Sequence, residues 1–260
     1  MTQKSGNSRR RRFDPIRREG VTTFSFEPPE FFPAREAAAR LNTYPHEAWF
    51  IKGLNLAYRL FTARAPTVYT DEAPIVLGHL CIKALNDLLV AVSVVKSGYH
   101  FQSWPLLRGG LEAAELMDYF LRHPDEIRGW LNKDKRFDSI SWVRRHLPHT
   151  EPRNQFFDLL NENSHANFRN IAVLSAWKSG PGKTTQVVGP LPFPIQEPNP
   201  LTMAANLISY PIRVLWLAEP DAVSSEWISE FNDFDLATGF LLGEDWTSKS
   251  AEDLVREPPG

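Results

Sequence analysis

Residues 104–122, WPLLRGGLEAAELMDYFLR, decide the fold of this chain. Wound as an α-helix at about 100° per residue, the stretch carries apolar side chains over more than half of its circumference. One narrow stripe is polar and contains Arg108, Glu112, Glu115, Tyr119 and Arg122. A helix this apolar belongs in a core. The stripe must therefore face either water or a polar cavity in which each charge has a partner.

The composition is that of a globular chain. Its 260 residues are 42% hydrophobic, which is enough for a substantial core. The 29 Lys and Arg residues against 31 Asp and Glu give a net charge of -2, so any binding to nucleic acid or an anionic membrane must be local. The single cysteine, Cys81, excludes an internal disulfide, and its apolar neighbours favour a buried structural role over a nucleophilic one. We predict no metal site and no cofactor.

The chain divides into a tail, one large domain and a second tail. Residues 1–33 combine six arginines between positions 9 and 18 with prolines and aromatic residues, without a helical period. This pattern predicts a basic, poorly ordered tail followed by an extended segment, with a local nucleic-acid or phospholipid contact as the alternative to a purely flexible role. Residues 34–243 are predicted to form a single helical domain, and residues 244–260 a loose tail.

No targeting or membrane-spanning segment is predicted. The four arginines at positions 9–12 are followed by residues 13–19, FDPIRRE, which do not form the apolar stretch of an export signal. The longest apolar run, residues 75–95, is interrupted by His79, Lys83, Asn86 and Asp87, which argues against a membrane span. We therefore expect a cytoplasmic protein.

Helical periodicity dominates the rest of the chain. It predicts helices over residues 33–41, 45–64, 71–96, 124–133, 138–147, 152–165, 201–218 and 224–242. Pro211 predicts a kink or a break near Ser209. Residues 170–189 have β-branched runs on both sides of a glycine–proline turn, which predicts a hairpin, and a proline-rich connector follows over 189–200. The predicted fold is mainly α: a multi-helix bundle with one small β-hairpin inserted late in the chain.

Two of these helices carry polar side chains that could meet in one pocket. Arg108 and Glu112 share a face of the central helix, and Asn161 and His165 share a face of a later helix, with Ser164 beside them. In such a pocket His165 would carry a proton near its usual pKa of about 6.5. Glu112 would orient His165, and Arg108 would hold a phosphate or carboxylate group.

The same residues also have a structural interpretation. Arg108 and Glu112 can pair within the bundle, and His165 can cap the end of its helix, where the last carbonyl groups accept hydrogen bonds. Tyr119 is a supporting polar residue of the stripe in either case. Two functions stay open: a ligand-binding or catalytic pocket, and a non-enzymatic binding or scaffold domain.

The motifs resemble those of a family of uncharacterised bacterial helical domains. In that family an R-x-x-x-E helix is followed by a helix that ends in a Ser/His motif and by a hairpin with a Gly-Pro exit. The matching positions, within residues 70–215, are Arg108 and Glu112, Ser164 and His165, and Gly189 and Pro190. The resemblance implies a helical fold and a bacterial source, and no particular activity.

The chain is more distantly similar to HEPN domains. These are helical bundles that often cleave RNA through an Arg and a His four to six residues apart in one helix. Arg144 and His149 have this spacing, with Pro148 as a departure from the family's continuous helix. The similarity implies that the protein acts on RNA or on a nucleotide-bearing ligand.

Overall fold

The computed structural model describes residues 47–65, 67, 71–148, 151–164 and 200–238, and their regular structure is helical, without a strand. The predicted mainly α class is therefore confirmed for this part of the chain. The α-helices, numbered here in chain order, are α1 (Glu47–Arg64), α2 (Glu72–Lys96), α3 (His100–Arg122), α4 (Ile127–Leu131), α5 (Ile140–Arg145), α6 (Glu151–Ser164), α7 (Pro200–Leu207), α8 (Ser209–Ala218) and α9 (Ser225–Thr238).

The turn between α2 and α3 is short, so the two longest helices are antiparallel neighbours. Gly98 has a φ of 86°, a left-handed conformation that glycine adopts without steric cost and that ends α2. The central helix begins at His100, earlier than the predicted residue 104. Pro105 is the sixth residue of α3, so it lies inside the helix and cannot donate the usual hydrogen bond to the carbonyl oxygen four residues earlier.

Two glycines allow α2 and α3 to approach closely. A Cβ atom at Gly110 would lie 3.1 Å from the Cδ2 atom of Leu88, and one at Gly109 would lie 2.8 Å from the Oδ2 atom of Asp87. Leu88 is completely buried at this contact. The wide apolar faces of these two helices and the short connection between them predict that they pack against each other. This packing is confirmed, and it forms the centre of the hydrophobic core.

Helices α7 and α8 both contact α2 and α3. The break between them falls at Ile208, where the predicted effect of Pro211 is confirmed. The buried Cys81 Sγ atom lies 3.6 Å from the carbonyl oxygen of Pro211. Cys81 is completely buried, as the sequence predicts, and this burial raises the pKa of its thiol well above the usual range.

Helix α9 closes the core over α1. The indole Nε1 of Trp227 donates a hydrogen bond to the carbonyl oxygen of Leu56 at 3.1 Å. The rings of Trp49 and Phe234 stack with their centres 5.0 Å apart. These contacts join a buried aromatic layer on α9 to the first described helix.

The segment after α3 is less regular than predicted. The single helix expected over 124–133 is a 3-10 turn at Pro124–Glu126 followed by the short α4, and the helix expected over 138–147 is a 3-10 turn at Lys135–Asp138 followed by α5. Lys133, with a φ of 60°, separates the two halves. A positive φ interrupts a right-handed helix, and periodicity alone does not reveal it.

Several predictions fall outside the described residues and stay predictions. They concern the tails at 1–33 and 244–260, the helix at 33–41, the hairpin at 170–189 and the connector at 189–200, of which only Pro200 is described, as the first residue of α7. By length and composition, Glu72–Lys96 and Pro200–Ala218 could cross a membrane. Core helices of soluble proteins pass the same test, and 50% and 72% of the two apolar windows are buried.

Replacing Leu111 with Ala should lower the free energy of unfolding by about 2–5 kcal/mol, because a buried leucine loses its transfer free energy and leaves a cavity. The control is Leu131→Ala on α4, where the side chain is exposed and the loss should be much smaller. Urea denaturation of both variants checks this. Equal losses would show that α3 does not form the core.

Candidate functional site

The polar stripe on α3 divides into an open part and a sealed part. The side chains of Arg108 and Glu112 are 27% and 31% exposed. One turn further on, Glu115 is completely buried, and Tyr119 is buried as well. The stripe therefore has both of the environments that the sequence allowed. Near Arg108 it lies at the protein surface, and beyond Glu112 it faces the protein interior.

The open part lies beside α6. The Nε atom of Arg108 donates a hydrogen bond to Glu112 Oε1 at 2.8 Å, and the guanidinium carbon lies 5.8 Å from the centre of the Phe157 ring. Helix α6 packs against α3, as the shared-pocket prediction requires. An arginine held between a carboxylate and an aromatic ring keeps a defined orientation and can still reach an anion.

Of the three site residues predicted on the later helix, two lie on α6 and the third, His165, follows its last residue. Asn161 is half-buried one turn after Phe157. The Ser164 hydroxyl donates a hydrogen bond to the carbonyl oxygen of Leu160 at 2.6 Å, within its own helix. His165 lies outside the described residues, immediately after the end of α6. The structure thus brings together the helices that carry these residues, and the role of His165 stays a prediction.

The sealed part begins with a buried ion pair between α3 and α5. Arg144 donates from Nε to Glu115 Oε2 at 2.7 Å, and its Nη2 atom lies 2.6 Å from the same oxygen. The Arg144 guanidinium also lies on Phe157, 3.1 Å from the ring centre. Phe157 therefore contacts two guanidinium groups, those of Arg144 and Arg108.

This pairing bears on the HEPN-like motif. Arg144 is one of its two residues, and its side chain is directed into the fold towards Glu115. His149, the other residue, lies outside the described residues. Arg144 is therefore engaged in an ion pair within the fold, whereas Arg108 lies in the open part of the stripe, where a ligand can reach it.

A second buried carboxylate, Asp118, was missed in the sequence. Arg122 Nε donates to its Oδ1 at 2.8 Å, and the Tyr210 hydroxyl donates to its Oδ2 at 2.9 Å, which ties α3 to α8. A signal was present, because Asp118 lies one and two turns from Ala114 and Leu111 on the apolar face of the helix. An acid on such a face predicts a buried, paired charge.

Tyr119 lies far from the open part, about 16 Å along the helix from Arg108 at about 1.5 Å per residue. Its ring contacts those of Phe120, His123, Phe137, Trp142 and His146. Burial, with the negative charge of Glu126, raises the pKa of Tyr119 to about 12. Tyr119 is therefore a packing residue at the other end of α3, and the structure does not place it beside Arg108.

Two further features of the described residues bear on ligand binding. In the part of the chain that the structure describes, no three His, Cys, Asp or Glu side chains are grouped so as to hold a metal ion. A cleft of about 620 Å³ opens where α2 begins and α3 ends, with Asp71, Glu72, Asp125 and Arg128 on its walls. Arg128 pairs there with Glu72 at 3.3 Å. This cleft lies at the end of α3 opposite to Arg108.

The described residues form a helical domain in which a partly exposed Arg–Glu pair, Arg108 and Glu112, lies where α6 packs against α3. The sequence matches no family model and no curated protein, and the structure matches no solved structure.

Replacing Glu115 with Gln should lower the free energy of unfolding by about 3–5 kcal/mol, because the Arg144 charge then stays buried without its carboxylate. The matched control is Glu112→Gln, three residues earlier on the same helix, where partial exposure should limit the loss to about 1 kcal/mol. Chemical denaturation measures both. Equal effects would contradict the division into open and sealed parts.

His100 predicts an acid-sensitive contribution to stability. It is buried at the start of α3, and burial lowers its pKa from 6.5 to about 4. In the unfolded chain it binds a proton near pH 6.5, so stability should fall as the pH drops from about 6.5 to about 4.

Denaturation at neutral and acidic pH tests this. His100→Gln should reduce the loss of stability between the two pH values, and the exposed His79→Gln should leave that loss unchanged. An identical pH dependence in all three proteins would show that His100 makes no such contribution.

Proposed function

We propose that the open part of α3, together with α6, binds a phosphate-bearing ligand, either RNA or a nucleotide. Arg108 would hold the phosphate and Glu112 would fix the orientation of Arg108. The observation that carries the proposal is the partial exposure of this pair beside Phe157, since the next carboxylates along the same helix are buried.

The charge distribution supports a local site. With a net charge of -2, the protein as a whole does not attract polyanions. An arginine guanidinium binds phosphate through two parallel hydrogen bonds and remains charged at every physiological pH. A site built on one such residue predicts affinity that falls only gently with salt, because few phosphates are neutralised.

The proposal assigns His165 the proton-transfer step. In the sequence, His165 directly follows Ser164, the last residue of α6. An imidazole there, near neutral pH, could accept a proton from a ribose hydroxyl or activate a water molecule. Asn161, one turn earlier, would donate a hydrogen bond to the ligand.

The proposal also concerns the source, the cellular location and the family of the protein. We propose a bacterial, cytoplasmic protein related to HEPN domains, with a β-hairpin over residues 170–189. The supporting observations are the helical fold of the described residues, the single buried cysteine and the order of the R-x-x-x-E and Ser/His motifs.

A non-enzymatic scaffold is the second candidate, and one observation favours it. Arg108 already has a hydrogen bond to Glu112 at 2.8 Å and a contact with Phe157. These interactions alone can hold α6 against α3. In that case the pair contributes to packing, and its loss should affect stability rather than binding.

Binding and cleavage of a fluorescent single-stranded RNA by the intact protein separate the two functions. Arg108→Met should weaken binding about tenfold or more, the loss of one charged hydrogen bond, with a nearly unchanged melting temperature. His165→Ala should abolish any cleavage and leave binding largely intact. Anisotropy and gel electrophoresis measure the two effects.

The matched control is Arg59→Met. Arg59 is also an exposed arginine in an ion pair, with Glu230, but it connects α1 to α9. The basic N-terminal tail is identical in all variants, so only a local site gives different results for Arg108 and Arg59. Equal binding by both variants, or a lower melting temperature without loss of binding in Arg108→Met, would reject the proposal in favour of the scaffold.

A further inference from the structure

One face of α2 points out of the fold. It consists of residues spaced alternately by three and four positions, the spacing of a seam between two helices: Glu72, Ile75, His79, Ile82, Asn86, Leu89, Ser93 and Lys96. Ile75, Ile82 and Leu89 are 43%, 44% and 44% exposed. The opposite side of α2 packs against α3, α7 and α8, so its apolar residues are already in use.

The seam is complementary to itself when a second copy runs in the opposite direction. It begins with the acidic Glu72 and ends with the basic Lys96. An antiparallel pair of α2 helices with Glu72 opposite Lys96 of the second copy has opposite charges at both ends. A parallel pair would bring like charges together at each end.

This register also interleaves the apolar side chains. Ile75, Ile82 and Leu89 are seven residues apart, about 10 Å along the helix, with polar residues between them. In the antiparallel register, Ile82 lies opposite Asn86 of the second copy, and each gap on one helix receives an apolar side chain from the other. The result is one apolar ladder of six side chains with steps of about 5 Å.

Glu72 and Lys96, at the two ends of this face, are able to form ion pairs with a second copy. Glu72 pairs with Arg128 at 3.3 Å, but both side chains are exposed, and such pairs contribute little to stability. Lys96 pairs with Glu47, and both side chains are also partly exposed. An additional partner across the interface therefore costs neither residue a buried interaction.

We propose that α2 is a homodimerisation surface, on which a second copy of this chain docks antiparallel about a two-fold axis near residue 84. The interface is a single pair of helices, smaller than that of most stable dimers. The dimer therefore forms reversibly, with a dissociation constant on the order of micromolar.

Analytical ultracentrifugation of the intact protein over a wide concentration range tests the dimer. The unaltered chain should shift from monomer to dimer with increasing concentration. Ile82→Glu should remain monomeric with an unchanged melting temperature, because it places a charge on an exposed position at the centre of the ladder. The matched control Tyr58→Glu, at a 72% exposed position on α1, should dimerise normally.

Cysteine cross-linking tests the register independently. Under mild oxidation, a mixture of Ile75→Cys and Ser93→Cys chains should form mixed disulfide dimers, whereas neither variant should cross-link alone. The native Cys81 is buried and does not interfere, which the oxidised unaltered chain verifies.

Four outcomes would overturn the proposal. The first is a chain that stays monomeric at all concentrations, and the second is a dimer that survives Ile82→Glu. The third is self-cross-linking of Ile75→Cys, which would indicate parallel helices. The fourth is binding of the monomer to phospholipid vesicles that depends on Ile82, which would assign this face to a membrane instead.

Discussion

Two carboxylates that are completely buried on the central helix, Glu115 and Asp118, constrain the rest of the fold. A buried carboxylate without a partner is very costly, so each must be matched by a donor from the surrounding elements. Glu115 is matched by Arg144 of α5, and Asp118 by Arg122 and by the Tyr210 hydroxyl of α8. These pairs fix where α5 and α8 lie on α3 more specifically than apolar packing could, because hydrogen bonds are directional.

The candidate site depends on the first of these pairs. Arg144 donates a hydrogen bond to Glu115, and its guanidinium carbon at the same time lies 3.1 Å from the centre of the Phe157 ring, which holds α6 at this position. The other neighbour of Phe157 is Arg108, so the accessible arginine is positioned through an aromatic ring that a buried charge pair holds in place. Changes at Glu115 or Arg144 should therefore alter the open part of the stripe without any direct contact with a ligand.

The sequence predicted the elements that depend on local pattern. The span of α2, its contact with α3 and the break before Pro211 all follow from periodicity and from proline chemistry. The sequence could not predict which part of the polar stripe is buried. Glu115 and Arg144 are 29 residues apart, and their contact depends on how α5 packs back against α3. The irregular path between α3 and α5 adds to this, since the positive φ at Lys133 leaves no clear periodic signal.

Mutations in the Arg108–Glu112 pair and in the Glu115–Arg144 pair differ in whether their effects on stability and on binding can be told apart. An exposed ion pair within one helix contributes at most about 1 kcal/mol, so a large change in binding after its removal can be assigned to the site itself. At Glu115 this separation fails, because the residue acts on stability and on the position of Phe157 together. The charges of the stripe all lie on one helix, but only at Arg108 and Glu112 can a ligand-binding role be distinguished from a packing role by mutation.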